Sequence, residues 1–569
     1  MDRRTIWAIL LMMTIAIVPA IFIKRPPASG AAAQRGSGAD SLARSSRVAP
    51  AERVTVPKDS LPAPQARDSA SDPVVHVTSP LYRYGISTRG GRLVEATLPH
   101  YRSMAPSDRG GPAEILPPDS RLLGLTLVLG RDTVPLQDWP FTVSAESLSV
   151  NGPTPLHLSA TRNNVKVDLT YTFQPDDYRV GVSGNVTGVG PNGGLLLVGM
   201  GPTLANTEAD SNENHRALAL ITKHNDTERL DFAGLKPGEP KTVSGPFEWA
   251  AVKSKYFVTG LLAFDSTSGG ISGVTATAHP PTGKRTSQAD VQLSLPLSPG
   301  GKFEYSAYAG PMEYDRLRRI GHGFDDVNPY GWPGFRTVIR PLAAGVRWLL
   351  VWMHQHLHLA YGLVLISFGI LVRLLLWPLN QKAMRANMQM QAVQPLVKEI
   401  QEKYKNDPPK AQQEMFKLYK EHGVNPLGGC WPMLLPMPVL FALFFVFQNS
   451  IELRGAAFGW LPDLSRPDPL YIVPVIMGLS MFGLSKVGQM GMEPNPQAKM
   501  MLYIMPVMMT FLFLKFASGL NLYYAVSNIA SIPQQWMLAR ERQKRTAKAI
   551  VDVKTKTPPE AKAKRVKKV

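Results

Sequence analysis

Apolar residues recur along this chain with three different spacings, and each spacing marks a different kind of structure. Near the N-terminus an uncharged run from Ile6 to Ile23 comes after Arg3 and Arg4. It is just long enough to cross a bilayer if Pro19 is tolerated near its end, and the arginines hold the N-terminus inside the cell. A cleaved signal peptide is the competing reading, since Ala31 to Ala33 offer small residues, but the apolar run is long and that site distant. Both readings export the chain beyond Ile23. From about Lys24 to Asp72 the chain is rich in Pro, Ala, Ser, Gly and Arg with almost no aromatics. Such a segment cannot bury enough surface to offset the entropy of ordering, and a flexible linker is expected.

Beyond the linker the period becomes two. Val165, Val167, Leu169, Tyr171 and Phe173 alternate with Lys166, Asp168, Thr170 and Thr172, the pattern of a half-buried strand. Turn clusters such as Asn192-Gly193-Gly194 and Ser298-Pro299-Gly300-Gly301 punctuate the region, so an antiparallel β-sandwich is expected from about Val74 to Gly310. After Pro341 the spacing turns helical: Leu342, Val346, Leu349, Leu350 and Met353 share a face with Arg347 among them, and Trp348 and Trp352 suit headgroup depth. This predicts an amphipathic helix lying in the membrane interface. Spanning candidates come next at Leu359 to Leu379, Met433 to Ile451, Pro469 to Ser485, Met500 to Phe516 and Gly519 to Leu538.

Read as domains, these patterns give an anchor at 1–23, a linker at 24–73, a β-sandwich at 74–320, an interfacial helix at 335–357, a helical core at 358–538 and a basic tail at 539–569. Within the core, 380–428 reads as a hairpin of two helices broken at Asn406-Asp407-Pro408-Pro409.

Composition refines this picture in two respects. A mean hydropathy of −0.07 averages over very unlike regions, and the net charge of +19 sits largely beside the apolar segments and in the final thirty residues. Membrane topology therefore explains the charge at least as well as nucleic acid does, and no sequence-specific nucleic-acid partner is expected. The loop from Asn380 to Trp431 carries Lys382, Arg385, Lys398, Lys403, Lys405, Lys410, Lys417 and Lys420, and the tail ends in Lys562, Lys564, Arg565, Lys567 and Lys568. Both belong in the cytoplasm. The loop from Glu452 to Asp468 balances Arg454 and Arg466 against Glu452, Asp463 and Asp468, as suits the outer face. Six spans with both termini inside satisfy every loop. The single cysteine, Cys430, excludes an intramolecular disulfide.

The chemistry on offer is sparse. Arg373 lies inside a span, five residues before Pro378, and no Asp or Glu occupies the middle of any span to neutralise it. Burying a guanidinium there costs about 3 kcal/mol on insertion scales. Either Arg373 snorkels to the headgroups, roughly 8 Å away at helical rise, or it faces a water-filled cavity. Asn521, Ser527, Asn528 and Gln534 on the last span, with Gln448 and Ser367, either line such a cavity or make interhelical hydrogen bonds. Met384, Met388, Met390 and Met415 in the hairpin, and Met500, Met501, Met505, Met508 and Met509 in the fifth span, offer either an adaptable surface for hydrophobic chains or ordinary packing. Of His354, His356 and His358 only the outer pair shares a helical face, a poor basis for a metal site. The chain contains no phosphate-binding loop, zinc-protease or nucleophile-elbow motif, so neither a cofactor nor an enzymatic activity is expected. A transporter or channel built on the intramembrane arginine is weakened by the absence of an evident inverted repeat. An assembly chaperone with a mere membrane anchor is disfavoured by the polarity of the last span.

Taken together these segments resemble the YidC family of insertases, related to mitochondrial Oxa-type and chloroplast Albino-type proteins. The resemblance rests on Arg373 with Trp377-Pro378-Leu379 after it, then Gln394-Pro395, the run from Met415 to Cys430, and Pro432 to Phe445. It continues through Asp468-Pro469, Met505-Pro506, Ser518 to Tyr524, Ser527-Asn528 and Gln534-Gln535, and reaches the soluble region through Ser87 to Gly91, Trp249 to Phe257 and Tyr308 to Pro311. What it implies is a Gram-negative inner-membrane protein of six transmembrane helices, five forming the insertase core, with a periplasmic all-β super-sandwich and a cytoplasmic helical hairpin. It also implies a hydrophilic groove, open to cytoplasm and lipid and closed toward the periplasm. Arg373, Gln448, Asn521, Tyr524, Ser527 and Asn528 would line this groove, while Met384, Met388, Phe444, Met505 and Met509 would contact the client along the slide or hairpin. The implied partners are nascent membrane proteins, the ribosome through the basic tail and cytoplasmic loops, the Sec translocon, and anionic lipids. One departure stands out: relatives often carry Thr or Ser one turn before the groove arginine, where this chain has Gly369.

Overall fold

In the computed structural model, residues 73–162, 164–189, 193–264, 270–281, 286–331, 336–421, 437–491 and 496–556 are described. The expected N-terminal anchor and linker, residues 422–436 with Cys430, and the tail beyond 556 lie outside them.

The alternating region folds into two sheets. In the first, eleven-stranded among the described residues, the main path runs Pro240–Phe247, Ile271–Ala278, Ala289–Leu297, Gly194–Met200, Leu122–Leu129, Leu93–Arg102, Arg83–Ser87, Val74–Thr78 and Ser147–Ser149. The nine-stranded second sheet runs Thr227–Asp231, Ala219–Lys223, Trp249–Lys253, Phe257–Leu262, Lys302–Pro311, Arg179–Thr187, Val165–Phe173, Thr154–Arg162 and Thr142–Val143. Pairing is antiparallel, apart from the parallel contact of Val74–Thr78 with Ser147–Ser149. Along Val165–Phe173 the apolar positions Val167, Leu169, Tyr171 and Phe173 are buried, and the lysine, aspartate and threonines between them are not. Period two thus becomes one buried face.

Tyrosines tie the sheets together across this core. Tyr84 of the first sheet donates to the Ala309 carbonyl of the second at 2.5 Å, and Tyr171 returns a bond to the Gly91 carbonyl at 2.7 Å. Their hydroxyls are satisfied at no loss of ring burial. Trp249–Lys253 and Phe257–Leu262 break the alternation, being buried at every position. A short helical segment, Phe324–Val327, covers their outer face: Phe324 meets the Trp249 ring edge-on at 5.0 Å, and a Cβ at Gly260 would come within 2.9 Å of the Phe324 ring. That segment leads the chain out of the β-domain and into the helices.

The helices are α1 (Ser211–Ala217) and α2 (Tyr314–Ile320) of the β-domain, then α3 (Arg336–Leu357), α4 (Tyr361–Ala392), α5 (Gln394–Lys403), α6 (Pro408–Glu421), α7 (Met437–Asn449), α8 (Ile472–Gly488), α9 (Pro496–Phe513) and α10 (Ser518–Lys556). Among the described residues one window, Tyr361–Pro378 in α4, is long and apolar enough to cross a membrane; Pro438–Asn449, Ile472–Gly488 and Lys499–Phe513 are shorter apolar helices. The sequence reading ends the α4 span at Leu379, whereas the helix continues past Pro378 to Ala392. Proline removes only one N–H from the ladder, the one that would bond the Leu374 carbonyl, and the rest of the ladder carries the helix on; beside it the Gln534 side-chain amide donates to the Trp377 carbonyl at 2.9 Å, tying α10 to this turn. The first half of the expected hairpin is therefore continuous with α4, and α5 begins directly after a turn at Val393.

Candidate functional site

The helical bundle turns a large apolar surface outward. Leu371, Leu374 and Leu375 on α4, Val475, Ile476 and Leu479 on α8, and Tyr503, Ile504, Val507 and Phe511 on α9 are all exposed. A water-soluble fold does not leave contiguous apolar faces of this kind uncovered, whereas a bilayer covers them.

Against that exterior, the α4–α10 seam is polar at its centre. Arg373 on α4 is half-buried and donates from Nε to Ser527 Oγ on α10 at 2.6 Å. Ser527 itself is 1% exposed. One turn earlier on each helix, Gly369 faces the Tyr523 ring: a Cβ there would lie 3.3 Å from Val526 Cγ1 and 3.5 Å from Tyr523 Cδ2. The missing side chain lets α10 approach, and it is α10 that supplies the hydroxyl to the arginine. Tyr524 packs edge-on to Phe513 at 5.4 Å and to Tyr523 at 5.5 Å, with its hydroxyl buried and unpaired among the described residues.

The other polar residues of the last span serve different neighbours. Asn528 donates to Ser480 Oγ of α8 at 3.2 Å, and Asn521, fully buried, donates to the Phe513 carbonyl of α9 at 3.0 Å. Both are interhelical hydrogen bonds of the kind small polar residues make in bilayers. Gln448, at the end of α7, is exposed, as is the apolar α4 face beside Arg373. Phe444 is half-buried and packs against Phe445 and Phe516, and Met505 and Met509 are half-buried on α9. Met384 and Met388 fall in the last turns of α4, and their side chains lie outside the described residues. His354 and His356 face the carbonyls of Leu359 and Trp352 at 2.7 and 3.1 Å.

Three features escape a reading of the sequence. Tyr523 lies beside Arg373, although only its neighbour stands out in the motif. Asp468 is fully buried and accepts from the amides of Leu470 and Val473 at 2.9 and 2.8 Å and from the Trp460 indole at 3.3 Å, capping the start of α8. The arginines of α3 and of the α7–α8 loop turn inward. Arg347, 4% exposed, bridges Glu452 at 2.6 Å and Asp315 at 2.5 Å, and Arg340 holds Asp325 and Asp326. A partner far along the chain gives no periodic signal, so pairs such as Arg347–Glu452 are invisible in one sequence. Burial alone disfavours the Arg347 cation, but two carboxylates outweigh it and raise its pKa.

Comparison with known proteins fits this geometry. A family model described as the 60Kd inner membrane protein matches residues 352–546, and one described as the YidC periplasmic domain matches residues 74–344. The chain is 30% identical to a protein of Chlorobaculum tepidum named membrane protein insertase YidC, with 99% of each covered. It is 35% identical to one of the same name from Chlorobium phaeovibrioides, covering 67% of this chain and 68% of the relative. For another from Oleidesulfovibrio alaskensis the identity is 30%, with 95% and 99% covered.

Proposed function

The chain belongs to the YidC family of membrane protein insertases, and from that premise we propose that it inserts newly made inner-membrane proteins, and helps them fold, through a hydrated groove centred on Arg373. It acts as an insertase and not as an enzyme. The observation that carries the groove is the Arg373–Ser527 hydrogen bond, which holds a guanidinium inside the α4–α10 seam while the outer α4 face beside it is apolar and exposed. A guanidinium in hydrocarbon is costly; one fixed by a serine at a water-filled seam is not, and it offers positive charge to the polar part of an incoming segment. Hydration over part of the bilayer spares that segment the several kcal/mol that each unsatisfied backbone group costs in lipid. Its apolar part then leaves along α7 and α9, past Phe444, Met505 and Met509.

In this reading Gln448, Asn521, Tyr524, Ser527 and Asn528 line the groove with Arg373. Six spans place both termini and the α4–α7 loop in the cytoplasm and the β-domain in the periplasm. Met384 and Met388 greet the client at the cytoplasmic mouth. The basic tail and cytoplasmic loops attract the ribosome or anionic lipid, and some clients arrive by way of the Sec translocon.

The test is reconstitution of the purified protein in liposomes with a small single-span client synthesised in vitro, scored by protease protection. Protection that depends on this protein alone supports the reading, and its absence for several such clients sinks it. Arg373→Ala is expected to impair clients with charged translocated segments more than nearly neutral ones. Equal impairment of both would remove charge attraction from the mechanism.

A further inference from the structure

The loop joining α7 to α8 touches both halves of the molecule. Its near end lies on the bundle: the amides of Ser518 and Gly519, first residues of α10, donate to the Arg466 and Leu464 carbonyls at 2.7 and 2.9 Å, and Ser518 Oγ donates to the Asp463 carbonyl at 3.3 Å. The loop thus satisfies the orphan donors that open α10. Packing there is tight, since a Cβ on Gly519 would come 2.6 Å from the Phe447 ring and 3.1 Å from the Leu464 carbonyl oxygen. Asn521, Tyr524 and Ser527 lie within the next three turns, so this loop closes the end of the seam that faces the β-domain.

The other part of the loop meets the β-domain, where Ile451 joins the core and Arg454 supplies the polar hold. Arg454 donates from Nε to Glu208 at 2.8 Å, from one terminal nitrogen to the Arg102 carbonyl at 2.8 Å and from the other to the Thr207 carbonyl at 2.9 Å. Its guanidinium lies beside the rings of Tyr256 and Phe257, 5.9 and 5.4 Å from their centroids. The side chains of Arg454 and Glu208 are 3% and 9% exposed. At Gly455, with φ +71°, a Cβ would come within 2.6 Å of Met104, so the backbone is pressed onto the β-domain surface. A planar fork that satisfies three acceptors fixes position as well as charge. A buried ion pair is better suited to setting registry than to adding stability.

We infer that the Arg454–Glu208 pair is a lock by which the β-domain holds the α7–α8 loop over the far end of the groove, keeping the seam closed on that side. Arg454 and Glu208 are positioning residues: they act through the loop and touch no client. The inference rests on the groove reading and adds a role for the soluble domain, that of clamping the seal.

The experiment uses the full chain with Cys430→Ser and Ser367→Cys, in vesicles oriented with the β-domain outward or inward, and a membrane-impermeant maleimide. With the lock intact, the thiol at position 367 is expected to react only from the side opposite the β-domain. Arg454→Ala and Glu208→Ala are each expected to abolish that selectivity, so that the thiol reacts from both sides. Labelling that stays one-sided in both variants overturns the lock while leaving the groove in place. A thiol unreactive from either side with the lock intact overturns the groove reading, and the lock with it. Glu208→Gln, which keeps the shape and a weaker hydrogen bond, decides the matter if Arg454→Ala fails to fold: partial loss of selectivity supports the lock, and unchanged selectivity overturns it.

Discussion

Arg373 and Ser527 are 154 residues apart in the chain and 2.6 Å apart in the fold, and their separate contributions can be divided by substitution. Ser527→Ala keeps the charge but leaves Nε without its acceptor, a loss of about 1–3 kcal/mol for a buried donor. The expected result is a protein that still inserts clients, with a roughly tenfold lower rate for acidic ones, while Arg373→Ala loses them more completely. Insertion rates for an acidic and a neutral client, measured side by side, check this; a Ser527→Ala protein indistinguishable from wild type would mean that water holds the arginine. Gly369 belongs to the same question. A serine there would press on Val526 and Tyr523 at 3.3 and 3.5 Å, distances at which those side chains must yield slightly, so Gly369→Ser is expected to insert clients with small loss and to compete with Ser527 for Arg373. A double variant, Gly369→Ser with Ser527→Ala, should then recover part of what Ser527→Ala loses. Recovery in the acidic-client assay is the sign that a hydroxyl from either helix can position the guanidinium.

At the scale of elements, helix starts and helix seams decide the architecture. Asp468 carries the start of α8 alone, since the residue at the cap, Tyr471, makes no side-chain cap bond and sits at φ +57°. Asp468→Ala would leave two amides and an indole without their acceptor, the Val473 amide of these being buried, and a loss of about 1–3 kcal/mol is expected. The checks are thermal unfolding in detergent and protease cleavage within the α7–α8 loop; an unchanged midpoint would show that water replaces the carboxylate. These elements are unevenly legible in the sequence. The strand Val165–Phe173 can be read because one face meets the core and the other meets water, so period two is written in the residues themselves. Trp249–Lys253 and Phe257–Leu262 cannot be placed by period, because Phe324 and its neighbours cover their second face. The span at the start of α4 is legible as an apolar run closing at Leu379, whereas the continuity of the helix beyond it to Ala392 is not, because Pro378 reads as a break and only the fold shows the helix carrying on through it. In the candidate site, Arg373 is visible as a charge in an apolar run. Its hydrogen-bond partner is one of several polar residues on α10, and only packing selects Ser527 from Asn521 and Asn528.

For the whole molecule, the β-domain and the bundle are joined through buried polar groups, from which a dependence of their union on pH is expected. Lys253 ends a strand that is buried throughout, and its ammonium nitrogen donates to Asn328 Oδ1 at 2.7 Å. Asn328 in turn donates to the carbonyl of Asn449, the last residue of α7, at 3.4 Å, and Asn449 donates back to the Pro329 carbonyl at 3.2 Å. Burial is the main reason that the Lys253 pKa is held well below the usual lysine value, with Arg229 nearby adding repulsion. Linkage sets the sign. The unfolded chain binds the proton more tightly than the folded one, so protonation favours unfolding, and stability climbs with pH from the depressed folded value up to the unfolded value near about 10.4. Within that window one such group contributes a slope of about 1.4 kcal/mol per pH unit, and below the folded value the penalty is constant. Lys253→Met removes the slope and also the bond to Asn328, so its absolute stability at one pH is uninformative, whereas the difference between the two pH profiles isolates the lysine. Thermal midpoints of the detergent-solubilised protein between about pH 8 and 10 are therefore expected to rise more steeply, or fall less steeply, for wild type than for Lys253→Met. Parallel profiles would mean that Lys253 stays protonated in the fold with Asn328 and water as its solvation, and that the junction between β-domain and α7 is insensitive to pH at this point.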